Sequence, residues 1–167
     1  MVEAELRVSA TALVAALRER GLTLAAAESC TGGWFAKSVV DVPGASEVFL
    51  GGVVSYVNRI KEQVLGVPRA LLDQYTAVSA PVAEAMAIGA QKLTGADIAV
   101  SVTGLAGPGG GTAEIPVGRV YIGLCDKGGS TVIPLDLSGT RDEVRAQAVL
   151  CMIKEITKRS IYIKRGK

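Results

Sequence analysis

The chain has 167 residues, 49% hydrophobic and 20% charged, with a net charge of +2 and no histidine. This length suits one domain with its own core, and the near-neutral balance excludes a broad basic face for nucleic acid. The missing imidazole removes Ser-His-Asp and Cys-His catalysis and His-rich zinc sites, so hydrolytic chemistry would need another base.

Residues 8–20 carry apolar positions at helical spacing and stop at Gly21. Residues 22–29 (LTLAAAES) read as a short strand, and 30–41 as a loop passing into a helix that halts before Pro43-Gly44. Residues 51–58 (GGVVSYVN) read as a strand, with Val53, Ser55 and Val57 on one face and Val54 and Tyr56 on the other. A short helix over 59–66 ends at Gly66, and a second over 68–75 has Pro68 in its first turn. Ser79 is expected to cap a longer helix that ends near Gly95. Residues 97–104 form a near-continuous apolar run, the mark of a strand buried on both faces. Five glycines follow between 104 and 111. Residues 119–125 and 131–137 read as two strands of an antiparallel hairpin. Thr140-x-x-Glu143 is a capping box that opens the last helix, with Arg145 one turn in. The alternation of strands and helices predicts an α/β fold, a three-layer α/β/α sandwich with a mixed sheet.

The reading is of one domain over 1–167, with a core at about 8–157 and a basic tail at 158–167. The C-terminal cations, Lys154, Lys158, Arg159, Lys164, Arg165 and Lys167, read as a solvated helix end and tail. Cys30, Cys125 and Cys151 are odd in number without CxxC spacing, which predicts free thiols in a reducing compartment. No leader pattern or membrane-length apolar run is visible, so a cytoplasmic location without a membrane partner is expected. A homodimer is expected from the commonness of two-fold assemblies.

Four segments carry possible chemistry. In Glu28-Ser29-Cys30-Thr31-Gly32-Gly33 a hydroxyl sits where a buried strand gives way to a helix. Ser29 is either a plain cap or a nucleophile facing unpaired helix-start N–H groups that could hold an oxyanion. Gly32 and Gly33 would let a substrate approach the backbone. Cys30 is a rival nucleophile with no histidine to activate it. In Tyr56-x-Asn58-x-x-Lys61, Lys61 is either a surface cation or, if burial lowers its pKa, a base for a Ser-Lys mechanism. The run from Thr103 and Gly104 through Gly107, Gly109 and Gly110 follows the buried strand, the usual place for a ligand loop, and its N–H groups could nest a phosphate. It lacks the GK[ST] of a P-loop and a clean dinucleotide fingerprint. Arg141, at a helix start, works against the dipole, which points either to an anionic ligand or to pairing with Asp142 or Glu143.

Taken together, Ala27-Glu28-Ser29-Cys30-Thr31-Gly32-Gly33, Tyr56-x-Asn58-x-x-Lys61, Ala77-Val78-Ser79, Thr103 through Gly110, Pro116-Val117-Gly118 and Ser138-Gly139-x-Arg141 resemble the CinA C-terminal domain family over about residues 8–157. The resemblance implies nicotinamide mononucleotide deamidase activity without a cofactor or metal, in the stand-alone form of the family. It implies Ser29 as nucleophile, Lys61 as base and Tyr56 as a supporting hydroxyl. It further implies a phosphorylated nucleotide as partner, lying on Cys30, Thr31, Gly32, Gly33, Thr103, Gly104, Gly107, Gly109, Gly110 and Arg141. A nucleotide-binding regulatory module and a Ser-Lys amidase for another small amide are the alternatives.

Overall fold

The computed structural model describes residues 2–163. Helix α1 (Val2–Arg20) leads into strand β1 (Leu24–Glu28), then α2 (Trp34–Val40), a 3-10 turn, and β2 (Phe49–Val54). Three helices follow, α3 (Asn58–Leu65), α4 (Arg69–Tyr75) and α5 (Ala80–Thr94), before β3 (Ile98–Gly104). The hairpin β4 (Arg119–Asp126) and β5 (Gly129–Asp136) precedes α6 (Arg141–Tyr162).

The five strands form one sheet in the order β2-β1-β3-β4-β5. β1 pairs in parallel with β2 and β3, while β4 is antiparallel to both β3 and β5. Side chains alternate across the sheet, so neighbouring alanines of β1 serve different cores. Ala26 joins Leu13, Leu17, Phe35, Val149 and Met152 under α1, α2 and α6. Ala27 joins Leu65, Leu72, Val82 and Met86 under α3, α4 and α5. The result is a three-layer α/β/α sandwich around a mixed sheet.

This topology positions the site. The chain leaves β1 over one face, through α2, to reach β2. It returns from β2 over the other face, through α3–α5, to reach β3 on the opposite side of β1. Because the connections leaving the neighbouring strands β1 and β2 cross opposite faces, a crevice opens at the carboxyl ends of these strands, where ligands bind in open α/β sheets. The ladder runs on into that crevice, with Ser29 N–H donating to Val102 O at 3.0 Å and Ser55 N–H to Glu28 O at 2.7 Å.

Gly89 sets how closely α3 approaches. A Cβ at that position would lie 2.0 Å from the Leu65 carbonyl oxygen, so the end of α3 rests on bare α5 backbone.

Several local expectations are corrected. β2 runs from Phe49 to Val54, not 51–58, with a register shift opposite Leu24/Ala25. The chain leaves the sheet after Val54, so Ser55 is buried while Val57, just before α3, is exposed. Helix α1 begins at Val2, because Leu6 extends the buried stripe by a turn and Glu3 and Glu5 suit the helix start. Ser79 occupies the N-cap of α5, but its hydroxyl donates backward to Thr76 O and accepts no helix N–H. The capping box at Thr140 and Glu143 is present. Lys164, Arg165 and Lys167 of the basic tail lie outside the described residues. No helix among the described residues is long and apolar enough to cross a membrane.

Candidate active site

Lys61 and Leu65 are one helical turn apart on the buried face of α3. Their burial swings the amine under the end of β1. Lys61 is completely buried, and Ser29 is 8% exposed. Lys61 Nζ lies 2.9 Å from Ser29 Oγ, 2.5 Å from Ser55 O and 3.4 Å from Tyr56 O. An ammonium would donate to all three oxygens. A neutral amine would donate to the two carbonyls and turn its lone pair to the Ser29 hydroxyl proton. Burial strips water from the charged form and lowers the Lys61 pKa to about 8.

Glu28, at the last position of β1, organises the turn that follows. Its buried carboxylate accepts from Thr31 Oγ1 at 2.6 Å and from the N–H groups of Gly33, Phe35 and Ala36 at 3.1, 3.0 and 2.9 Å. The negative charge sits where the helix dipole favours it. The expectation of open N–H groups at the start of α2 is therefore corrected: Glu28 occupies them. The Thr31 N–H meets no hydrogen-bond acceptor among the described residues, and the Cys30 N–H meets only its own sulfur. Those two donors sit directly after the Ser29 hydroxyl. The Cys30 thiol is pushed up to about 11, first by burial, and is a poor rival nucleophile.

The Gly-rich loop meets the start of α6. Arg141 donates from Nη1 to Gly107 O at 2.8 Å and from Nη2 to Tyr56 Oη at 3.1 Å. It pairs with neither Asp142, which faces Arg145, nor Glu143, which caps Thr140. Tyr56 therefore sends its hydroxyl to Arg141 and only its carbonyl to Lys61. The structure does not bring the phenol onto the Ser29–Lys61 pair. Thr103 is buried and spends its hydroxyl proton on Ala77 O at 2.7 Å. Its side chain anchors the segment before α5. Gly104 leaves no room for a side chain, since a Cβ there would lie 2.7 Å from Val120 Cγ2. Gly109 has open space around it.

Two further candidates are not legible in the sequence. A lone carboxylate such as Glu28 gives no sign that it will be buried. Arg145, one turn into α6, donates to Cys30 O at 3.1 Å and Thr31 O at 3.0 Å. Its guanidinium lies over the Trp34 ring, 5.3 Å from the centroid. An open groove of about 980 Å³ between α1 and α2 borders Gly32, Gly33, Trp34 and Arg145 and does not reach the dyad.

Residues 7–159 match the CinA C-terminal domain. The chain belongs to the CinA C-terminal domain family. It is 53% identical over 135 residues to a CinA-like protein of Geotalea uraniireducens, covering 81% of this chain and 32% of that protein. It is 48% identical over 149 residues to a CinA-like protein of Geobacter sulfurreducens, covering 89% and 36%. The chain thus spans about a third of the length of these curated relatives. Among solved structures, the competence/damage inducible protein CihA of Agrobacterium tumefaciens superposes with a TM-score of 0.90 at 35% identity, over 92% of this chain and 94% of that one. The competence damage-inducible protein A of Klebsiella pneumoniae gives a TM-score of 0.92 at 30% identity, over 95% and 99%. The CinA fold and the mixed sheet described above are the same architecture.

Proposed function

We propose that this chain is an amidohydrolase that converts nicotinamide mononucleotide to nicotinate mononucleotide and ammonia. The observation that carries the reading is the fully buried Lys61 amine 2.9 Å from Ser29 Oγ in a chain without histidine. Family membership agrees with an enzyme of this kind.

The 5′-phosphate lies on the Gly-rich loop near Arg141, whose guanidinium retains N–H groups beyond the two it gives to Gly107 and Tyr56. The carboxamide lies over Ser29. Neutral Lys61 takes the hydroxyl proton as Oγ bonds to the carbonyl carbon, and the oxygen takes up the charge facing the N–H groups of Cys30 and Thr31. Lys61 returns the proton to the amide nitrogen, the C–N bond breaks and ammonia leaves. Water then attacks the acyl-enzyme with Lys61 again as base, releasing the carboxylate and restoring Ser29. The substrate's pyridinium withdraws electrons from the amide and disfavours a charged Lys61, so it assists both steps.

The test incubates the protein with nicotinamide mononucleotide and measures ammonia and nicotinate mononucleotide. Wild type should release both in equal amounts, Ser29→Ala should fold and release neither, and Lys61→Met should fold and release them about a hundredfold or more slower. Binding without turnover in wild type would make the chain a sensor. Ammonia from Ser29→Ala at the wild-type rate would remove the assigned nucleophile.

A further inference from the structure

Arg145 belongs to α6, whose core residues Val144, Ala148 and Val149 pack on the α1 face of the sheet. Lys61 belongs to α3, whose Leu65 packs on the opposite face. The turn carrying Cys30 and Thr31 lies between them. Arg145 presents Nε to Cys30 O and Nη2 to Thr31 O, so one edge of the guanidinium grips two successive carbonyls. Nη1 faces Asp142 at 3.4 Å, and the Trp34 ring backs the plane. The guanidinium is thus held on several sides.

A trans peptide is planar, and its C=O and N–H point in opposite directions. The Cys30 carbonyl shares its peptide with the Thr31 N–H. Fixing that carbonyl toward α6 turns the Thr31 N–H toward the side of α3, where the Ser29 hydroxyl meets Lys61. The next peptide is fixed as well, since the Thr31 carbonyl faces Arg145 and the Gly32 N–H donates to Ser29 O at 3.1 Å. Glu28 ties down the same turn through Thr31 Oγ1.

We infer that Arg145 is a positioning residue that, by gripping the carbonyls of Cys30 and Thr31 from the far face of the sheet, aims the Thr31 N–H at the oxyanion formed over Ser29. It rests on the amidohydrolase reading for its substrate but not for its geometry. A lysine could not replace it, because a single ammonium lacks the flat two-donor edge.

The experiment compares wild type, Arg145→Lys and Arg145→Gln in two assays. One is ammonia release from nicotinamide mononucleotide. The other is the rate at which a small alkyl fluorophosphonate labels Ser29, located by mass spectrometry. In labelling, the Oγ–P bond forms, the P–F bond breaks, Lys61 takes the proton and fluoride leaves, with the phosphoryl oxygen in the same pocket. Loss of an aimed donor should lower kcat and the labelling rate by about a hundredfold in both variants. KM should stay within about threefold, the sign of an interaction made only in the transition state. The acid limb of the pH profile should not move, since Lys61 is untouched. A raised KM with kcat kept would make Arg145 a substrate contact, and a lowered melting temperature with both rates kept would make it purely structural. Either result overturns the inference. If wild type labels at Ser29 but releases no ammonia, the substrate reading falls and the labelling ratio alone decides. If wild type does neither, both fall. Should the Arg145 variants fail to fold, Trp34→Leu removes the ring behind the guanidinium, and an unchanged labelling rate there overturns the inference.

Discussion

Arg141 and Tyr56 meet across 85 residues of sequence, with Nη2 3.1 Å from the phenol oxygen. The same guanidinium holds Gly107 O at 2.8 Å. One side chain therefore ties the start of α6, the Gly-rich loop and the segment after β2 into a single rim around the crevice.

That rim should govern binding more than chemistry. Tyr56→Phe removes one bond of the rim, and Arg141→Ala removes both. KM for nicotinamide mononucleotide should rise a few-fold in the first and about tenfold or more in the second, with kcat less affected, the mark of lost ground-state binding. Steady-state kinetics on the two variants checks this. A fall in kcat in Tyr56→Phe as deep as that of Lys61→Met would place the phenol in the chemistry itself.

Glu28 should be a stability residue as much as a site residue. Its two oxygens accept from one hydroxyl and three N–H groups. In Glu28→Gln one acceptor becomes an NH2 that faces a donor, leaving a buried group unpaired. The expected loss is about 2 kcal/mol, read as a shift in the urea midpoint. An unchanged midpoint would mean that the turn holds itself without the carboxylate.

These residues also mark what the sequence could and could not reveal. The buried strand running into Ser29, the Gly-rich loop after β3 and the capping box at Thr140 all rest on local rules, and the fold class followed from their alternation. The limits of β2 did not, because the alternation of Val53, Ser55 and Val57 runs on past Val54, where the chain leaves the sheet. The burial of Lys61 was open from sequence, though Leu65 four residues later carried the signal that the amine shares a buried face. Glu28 and Arg145 are polar groups whose hydrogen-bond partners are mostly backbone atoms. No side-chain pattern encodes such partners, so their roles appear only once the turn is folded.

The contact between α5 and α3 links packing to the site. Gly89→Ala would drive a Cβ into the Leu65 carbonyl and push α3, with Lys61, away from β1. The variant should lose about 2–3 kcal/mol and more activity than its folded fraction explains. Chemical denaturation beside ammonia release at full folding tests both halves. Wild-type stability would show that α3 can shift freely.

Lys61 should also make folding stability depend on pH. Its folded pKa, about 8, lies below the ordinary 10.5, so between these values the unfolded chain holds the extra proton. The cost of burying the amine is in full force below pH 8 and is relieved as pH climbs toward 10.5. Relative to Lys61→Met, wild type should gain about 2–3 kcal/mol between pH 7 and pH 10. Urea melts of both proteins across that range give the difference directly. A flat difference would mean that the amine titrates normally.

The most direct test of the account is the pH dependence of kcat/KM for ammonia release in wild type and Lys61→Met. With a neutral buried amine as base, the wild-type rate rises through a midpoint near pH 8 and levels above it. Lys61→Met falls by about a hundredfold or more, the usual size of a lost general base, and loses that limb. Ammonia release by Lys61→Met at the wild-type rate, with the same rise, would show that the amine beside Ser29 is not the base.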